Sequence, residues 1–238
     1  MEAIELSEQS GMERARAVQE MFTRIAPRYD LMNRLMTFGQ DVSWRKEVIQ
    51  RARLSAGQRL LDLGAGTGDL AGEALRQQPD LRVTAADFTL RMMVFGQARY
   101  PAGRPDWSAA DARKLPFPEA TFDAVVSGFL LRNVTDLPGS LSEQYRVLKP
   151  GGRIVCLDTS PPPDNFLAPF IRFHLHTVIP TLGKLISGQV EAYQYLPDTT
   201  ENFLAPERLA ARLVEAGFQE VGFRRLMFGT IAIHWGVR

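Results

Sequence analysis

Glycine and aspartate dominate the residues whose types and spacing could do chemistry. The run LDLGAGTGDL, Leu61 to Leu70, places Gly64, Gly66 and Gly68 where an apolar strand turns into a helix, with Thr67 inside the turn. Glycines there let the backbone turn sharply and approach a ligand with no Cβ in the way. A dinucleotide loop of the G-x-G-x-x-G kind would have its third glycine where this chain has Asp69. A carboxylate at the mouth of that helix repels a pyrophosphate, and Asp62 adds a second negative charge across the turn. S-adenosylmethionine carries a sulfonium and an ammonium and no phosphate, so an acidic loop favours it and opposes NAD.

Further carboxylates fall at the ends of the next apolar runs. Asp87 closes RVTAAD, one strand–helix–strand unit after the glycine loop, where a carboxylate can accept from both ribose hydroxyls. Asp111 and Ala112 end the third run, where the carboxylate can accept from an adenine amino group while the backbone N–H reads a ring nitrogen. The fourth run, FDAVVS, ends at Ser127 and reaches the same edge. Each Asp alone is equally a cap or turn residue. Acidic tips on successive strands argue together for a ligand. Gly64, Gly66, Thr67, Asp87, Asp111, Ala112 and Ser127 are therefore expected to bind the cofactor.

Positioning these tips requires short β-type runs alternating with helical patterns, the signature of a doubly wound parallel sheet. Strands are expected at Arg59–Leu63, Arg82–Asp87, Trp107–Ala110, Phe122–Ser127, Arg153–Asp158, Glu220–Arg225 and Ile231–Val237. Helices are expected at Asp69–Gln77, Leu90–Arg99, Leu137–Val147 and Pro206–Glu215, the last stopped by Gly217. Only a short turn separates the last two strands, so they should pair antiparallel. The expected class is α/β: a seven-stranded, mostly parallel, Rossmann-like sheet with an antiparallel last strand. Two regions stand outside the alternation: residues 1–54, a helical cap, and residues 160–205, an insertion into the 55–238 core after the fifth strand. Both can lie over the carboxyl ends of the strands, where ligands of open sheets bind. Phe166, Phe170, Phe173, Leu175 and Ile179 of the insertion are expected to cover an apolar ring or tail.

Composition excludes several classes. Lys plus Arg number 28 against 27 acidic residues, so there is no global field to hold a nucleic acid. The single cysteine, Cys156, lies in an apolar run, and the N-terminus lacks the apolar stretch of a secretory signal, which points to a cytoplasmic protein. The apolar segment Phe166 to Ser187 is broken by Pro169, Arg172, Pro180 and Lys184, short of the ~20 apolar residues of a membrane span. Peripheral contact with a membrane stays open, as does a homodimer. No metal is expected: His174 and His176 stand at i and i+2, a poor spacing for ligands on a helix, and His234 sits in a strand. Each histidine reads as structural or as a base. Met32, Met36, Met92 and Met93 read as core or lid packing.

Tyr29 to Trp44, YDLMNRLMTFGQDVSW, closely resembles the first signature of the UbiE/MenG type C-methyltransferases of ubiquinone and menaquinone biosynthesis. RVLKPGGRIVCLDTS, Arg146 to Ser160, resembles the second, and FLLRNVTD and the closing GTIAIH extend the likeness over nearly the whole chain. Thr37 and Asp41 stand where the first signature usually has Ser and His, Asp158 where the second has Glu, and Leu130 where Gly is usual. The resemblance implies a class I S-adenosylmethionine-dependent fold, carbon methylation of a prenylated hydroquinone such as demethylmenaquinol, and a place for Tyr29 over the cofactor. Such a reaction needs a base or a phenolate stabiliser near the methyl group. Arg132 and Asn133, just beyond the fourth strand, are the expected catalytic pair. Arg is effectively always protonated, so it suits phenolate stabilisation better than proton abstraction. A loop-ordering salt bridge is the other reading of Arg132. Another small phenolic, polyketide or sterol-like acceptor is the other reading of the substrate.

Overall fold

The computed structural model describes residues 11–100, 103–187 and 190–238; residues 1–10 of the expected cap and Gly188 and Gln189 of the expected insertion lie outside the described residues. Seven strands form one sheet: β1 (Arg59–Leu63), β2 (Arg82–Asp87), β3 (Asp106–Ala109), β4 (Phe122–Gly128), β5 (Leu148–Thr159), β6 (Gln219–Leu226) and β7 (Ile231–Val237). Their order is β3-β2-β1-β4-β5-β7-β6. Strands β1 to β5 pair in parallel, and β7 runs antiparallel to both β5 and β6. The order reverses between β1 and β4, and a sheet of this kind opens a crevice beyond its strand ends at that switch point. The tips flanking it are the glycine loop and the segment carrying Arg132 and Asn133.

Three strands start earlier than expected, among them β6, which begins at Gln219 and not at Glu220. Leu148 pairs with Phe122, so β5 begins as the chain leaves its preceding helix and not at Arg153. Asp106 pairs with Thr84, which moves β3 forward by one register position.

The helices are α1 (Gly11–Ile25), α2 (Tyr29–Met36), α3 (Asp41–Ala52), α4 (Asp69–Gln77), α5 (Leu90–Arg99), α6 (Leu137–Val147), α7 (Ala168–Phe173), α8 (Ile179–Ser187), α9 (Val190–Glu201) and α10 (Pro206–Glu215). A π-helical turn, His174–Val178, joins α7 to α8. Side chains alternate between the sheet's faces. Leu60 packs with Trp44, Val48 and Ile49 of α3, whereas Leu61 and Leu63 pack with Leu141 of α6 and Leu209 and Leu213 of α10. Helix α3 thus covers the sheet directly.

A third apolar cluster lies apart from these layers. Val18, Met21, Ile25, Met32 and Met36 of α1 and α2 pack on Leu175, Ile179, Tyr193 and Tyr195. The two regions outside the strand–helix alternation therefore meet each other. Among the described residues no helix is long and apolar enough to cross a membrane.

Candidate active site

The glycine loop leaves β1 with Gly64 and Ala65 both donating to the Ala86 carbonyl, at 2.8 and 3.0 Å. Gly64 sits at φ 69°, in the left-handed region, and a Cβ there would lie 2.8 Å from Cδ1 of Leu130. Leu130 thus packs across the loop. Asp87 accepts from the Gly66 N–H at 2.7 Å and from the Thr89 N–H at 2.6 Å, so it holds the loop as well as facing the cleft. Burial pushes the Asp87 carboxyl up against the pull of these amides. At the far end Arg113 grips Asp111 at 2.7 Å and holds its carboxyl below the usual range.

Between these groups lies a cleft of about 130 Å³, bordered by Tyr29, Gly64, Gly66, Asp87, Asp111, Ala112 and Asn133. Two expected cofactor residues stand elsewhere. The Thr67 hydroxyl donates to Asp30 at 2.7 Å and borders a smaller cavity beneath the loop. Ser127 is a correction: it is buried inside β4, in register with Cys156, and the cleft wall begins with Gly128. A strand's last inward-facing side chain packs in the sheet, and only the residues beyond it reach a crevice at its end. Burial pushes the neighbouring Cys156 thiol up to about 12, which leaves it inert.

The smaller cavity, about 40 Å³, is bordered by Asp30, Asp62, Asp69 and Arg45. Its charges form a chain. Arg45 pairs with buried Asp41 and, at 3.0 Å, with Asp69; Arg99 joins Asp69 at 2.8 Å to Asp30 at 2.7 Å. The Thr37 hydroxyl, 3.1 Å from Asp41, sits in the same turn, so two of the departures from the usual signature make one cluster. Through it α2 and α3 are tied to the mouth of α4. Asp62 stands apart: one oxygen accepts from the Ala71 N–H at 2.9 Å, and the other is buried with no donor among the described residues. Burial, then the nearby Asp87 and Asp69 charges, push its carboxyl up to about 7. A buried carboxylate oxygen lacking a donor beside a small opening fits an ammonium group.

On the other side of Tyr29 and Phe129 is an apolar cavity of about 360 Å³. Phe170, Leu175 and Ile179 border it as expected, but Phe166 and Phe173 do not; they are 84% and 61% exposed. Helix α7 turns only one face inward, and a stretch of apolar sequence does not show which residues that face takes. His174, one of the histidines left open as a base, also borders it, as do Phe38 and the β6–β7 turn, Met227 to Ile231, which were not anticipated.

Among the described residues Arg132 is the one permanent cation on the wall. Its Nη1 donates to Asp158 at 2.7 Å, with the two side chains 7% and 2% exposed, and its guanidinium lies 5.2 Å from the Phe129 ring centre. Both earlier readings of Arg132 are compatible with this geometry. Asn133 donates to the Phe129 carbonyl at 3.0 Å and accepts from the Tyr195 hydroxyl at 3.2 Å. Its amide is engaged at both ends, so it positions the loop against α9. Arg132 and Asn133 both border a further cavity of about 40 Å³ with Tyr29 and Asn33, at the partition between cleft and apolar cavity.

His174 faces the apolar cavity with Nε2 3.3 Å from the Met36 carbonyl and its ring stacked at 5.6 Å on Phe38. A carbonyl only accepts, so Nε2 carries the hydrogen and Nδ1 keeps a lone pair. The other histidines are elsewhere. His176 is exposed and 3.0 Å from Glu201; His234 is buried on the Pro206 carbonyl, and burial lowers its pKa.

Comparison with known proteins agrees with this geometry. The model of the ubiE/COQ5 methyltransferase family matches residues 8–238. The ubiquinone/menaquinone biosynthesis C-methyltransferase UbiE of Desulfotalea psychrophila is 47% identical over 221 residues, 93% of this chain and 90% of that protein. The demethylmenaquinone methyltransferase of Thermus thermophilus is 45% identical over 92% of this chain and 100% of that protein. Among solved structures, phosphoethanolamine N-methyltransferase 2 of Haemonchus contortus in complex with S-adenosyl-L-methionine superposes with a TM-score of 0.63 at 16% identity, over 82% of this chain and 52% of that one. That likeness is one of fold.

Proposed function

The chain belongs to the ubiE/COQ5 methyltransferase family, and on that premise we propose that it methylates a ring carbon of a prenylated hydroquinone, demethylmenaquinol or the equivalent ubiquinone precursor. The methyl donor is S-adenosylmethionine. The observation that carries the reading is the pairing of an acidic, glycine-lined cleft with a 360 Å³ apolar cavity across one partition.

The residues divide the work as follows. Asp87 and Asp111 would hold the donor's ribose and adenine, the glycine loop its amino-acid part, and Asp62 its ammonium. The bound donor supplies a methyl group activated by a neutral leaving thioether. On the acceptor side Arg132, fixed by Asp158, faces the oxygen that becomes a phenolate and stabilises the charge as it develops. The Nδ1 lone pair of His174 takes the phenol proton, His174 being the one imidazole that borders the cavity among the described residues, and after methyl transfer the hydrogen on the attacked carbon leaves as a proton to the oxygen and restores the phenol. The apolar wall excludes water, which strengthens both interactions. Helices α1 and α2 with the 160–205 insertion form the lid over the acceptor, whose tail implies delivery from a membrane by peripheral contact.

Tail length tests the acceptor assignment. Each buried methylene is worth ~0.8 kcal/mol, so kcat/KM should rise as prenyl units are added until the cavity is filled. Methylation assays on a series of quinols check this; indifference to the tail would favour a head-group-only acceptor.

Asp87→Ala should weaken S-adenosylmethionine binding at least tenfold, because charge-assisted bonds are worth ~1.5–3 kcal/mol each and ~1.4 kcal/mol is a factor of ten. Asp87→Asn keeps one acceptor for the loop and should fall between. Calorimetric titration ranks the three proteins, and unchanged affinity in the alanine variant would remove the ribose assignment.

Asp62 gives a pH dependence. Its folded pKa of about 7 lies above the ordinary carboxyl value, so between the two the folded chain holds a proton that the unfolded chain has lost. That contribution to stability is full below the ordinary value and is lost as pH rises to about 7. A cationic donor favours the ionised carboxylate, so its affinity should increase as pH rises through 7, with proton release. Calorimetry in buffers of different ionisation enthalpy measures that proton, and Asp62→Asn should abolish it.

A further inference from the structure

Phe38, Phe170 and Phe228 come from three separate elements, yet all border the acceptor cavity while remaining 73%, 73% and 70% exposed. Two of them sit in the left-handed backbone region, Phe38 at φ 53° and Phe228 at φ 56°. A bulky residue keeps that conformation only when its surroundings hold it there, and such positions cluster where function requires them. Here the held conformation presents apolar rings to solvent at the mouth of a cavity.

The collar continues outward. Phe173 stands one helical turn after Phe170, and Phe166 precedes α7; these are the rings that miss the cavity wall, 61% and 84% exposed. Cations accompany them. Arg34 lies on the turn that ends at Phe38, since Gly39 donates to the Arg34 carbonyl at 2.7 Å, and Phe38 stacks on His174, two residues past Arg172. Arg34 and Arg172 are exposed, and no ion pair to either is present among the described residues. Asp164 is the only acidic residue in the stretch 160–187.

We propose that this face docks on an anionic lipid bilayer, with the phenylalanine rings entering the interface and Arg34 and Arg172 meeting lipid headgroups. The cavity mouth then opens at the membrane, and an acceptor with a prenyl tail enters without crossing water. Exposed aromatic rings beside unpaired cations are the pattern of interfacial binding, and a rim of this kind has no use for a water-borne ligand. The proposal rests on the reading of the acceptor as prenylated.

Flotation of the full chain with vesicles containing anionic phospholipid, without acceptor, tests it. The unsubstituted chain should float with anionic vesicles and much less with neutral ones. Arg34→Glu/Arg172→Glu removes two headgroup contacts and should weaken binding roughly thirtyfold, from about fivefold per cation. Phe166→Ser/Phe173→Ser should weaken it on neutral and anionic vesicles alike. Neither pair borders the cavity, so rates on a short-tailed, water-soluble quinol should be unchanged in both variants. Absence of flotation by the unsubstituted chain, or flotation of both variants equal to that of the unsubstituted chain, would overturn the proposal. A change of oligomeric state in the variants without vesicle binding would assign the face to a second copy of the chain. Flotation without methylation of long-tailed quinols would leave the docking face standing and sink the acceptor reading instead.

Discussion

Arg132→Lys should lower kcat ~10²–10³-fold while leaving affinity for S-adenosylmethionine within about twofold, because the lost interaction is made in the transition state. Arg132 borders the acceptor cavity and the partition, not the cleft, and Nη1 is committed to Asp158 at 2.7 Å. A planar guanidinium can bind that carboxylate with one arm and an acceptor oxygen with the other. An ammonium cannot copy this fixed fork. Alanine is the less informative change, since removing one partner of a buried ion pair costs ~3–5 kcal/mol by leaving the other charge uncompensated. Single-turnover methylation beside thermal unfolding and calorimetric titration separates the two readings of Arg132. A slow enzyme with normal stability and cofactor affinity makes it the phenolate stabiliser; a loss of rate that tracks lost stability or cofactor binding makes it a loop anchor. Full-speed turnover would remove it from the chemistry and leave His174 as the polar group to test.

Gly64→Ala should weaken S-adenosylmethionine binding roughly a hundredfold. Two costs combine: a left-handed backbone with a side chain, about 1–2 kcal/mol, and overpacking, about 1–3 kcal/mol. The second arises because the new methyl would meet Leu130 at 2.8 Å. The family resemblance of the FLLRNVTD stretch implies a glycine at position 130, and a glycine there would remove the clash. Leu130→Gly in the Gly64→Ala background should recover the steric part and not the backbone part, leaving affinity about tenfold below the unsubstituted chain. Equal affinities in the single and double variants would show that Leu130 does not constrain the loop.

The centre of the sheet was legible because β1, β2 and β4 are short and largely buried and the helices carry their own stop signals. The strand that ends at Leu63, the helix that starts at Asp69 and the stop at Gly217 all stand where the residues place them. Carboxylates at strand tips were equally readable, since a parallel sheet brings successive tips to one edge whatever the loops do. Ser127 shows the limit: one residue decides whether a side chain packs inside a strand or faces the crevice, and sequence does not resolve that residue. The chain Asp41–Arg45–Asp69–Arg99–Asp30 joins residues far apart in sequence, so no local spacing reveals it. His174 stayed open between a structural residue and a base for a similar reason, as its meaning depends on Met36 and Phe38 across the cavity. Phe166 and Phe173 looked like pocket residues because apolarity was the only signal; their exposure gives them another use.

The most direct test of the central claim is transfer of an isotopically labelled methyl group from S-adenosylmethionine to demethylmenaquinol by the purified chain, with the product's bonding read by NMR. A labelled methyl on a ring carbon, formed in stoichiometric proportion to S-adenosylhomocysteine, is the predicted result. Label on oxygen, or none on the quinol while the chain binds the donor tightly, would contradict it.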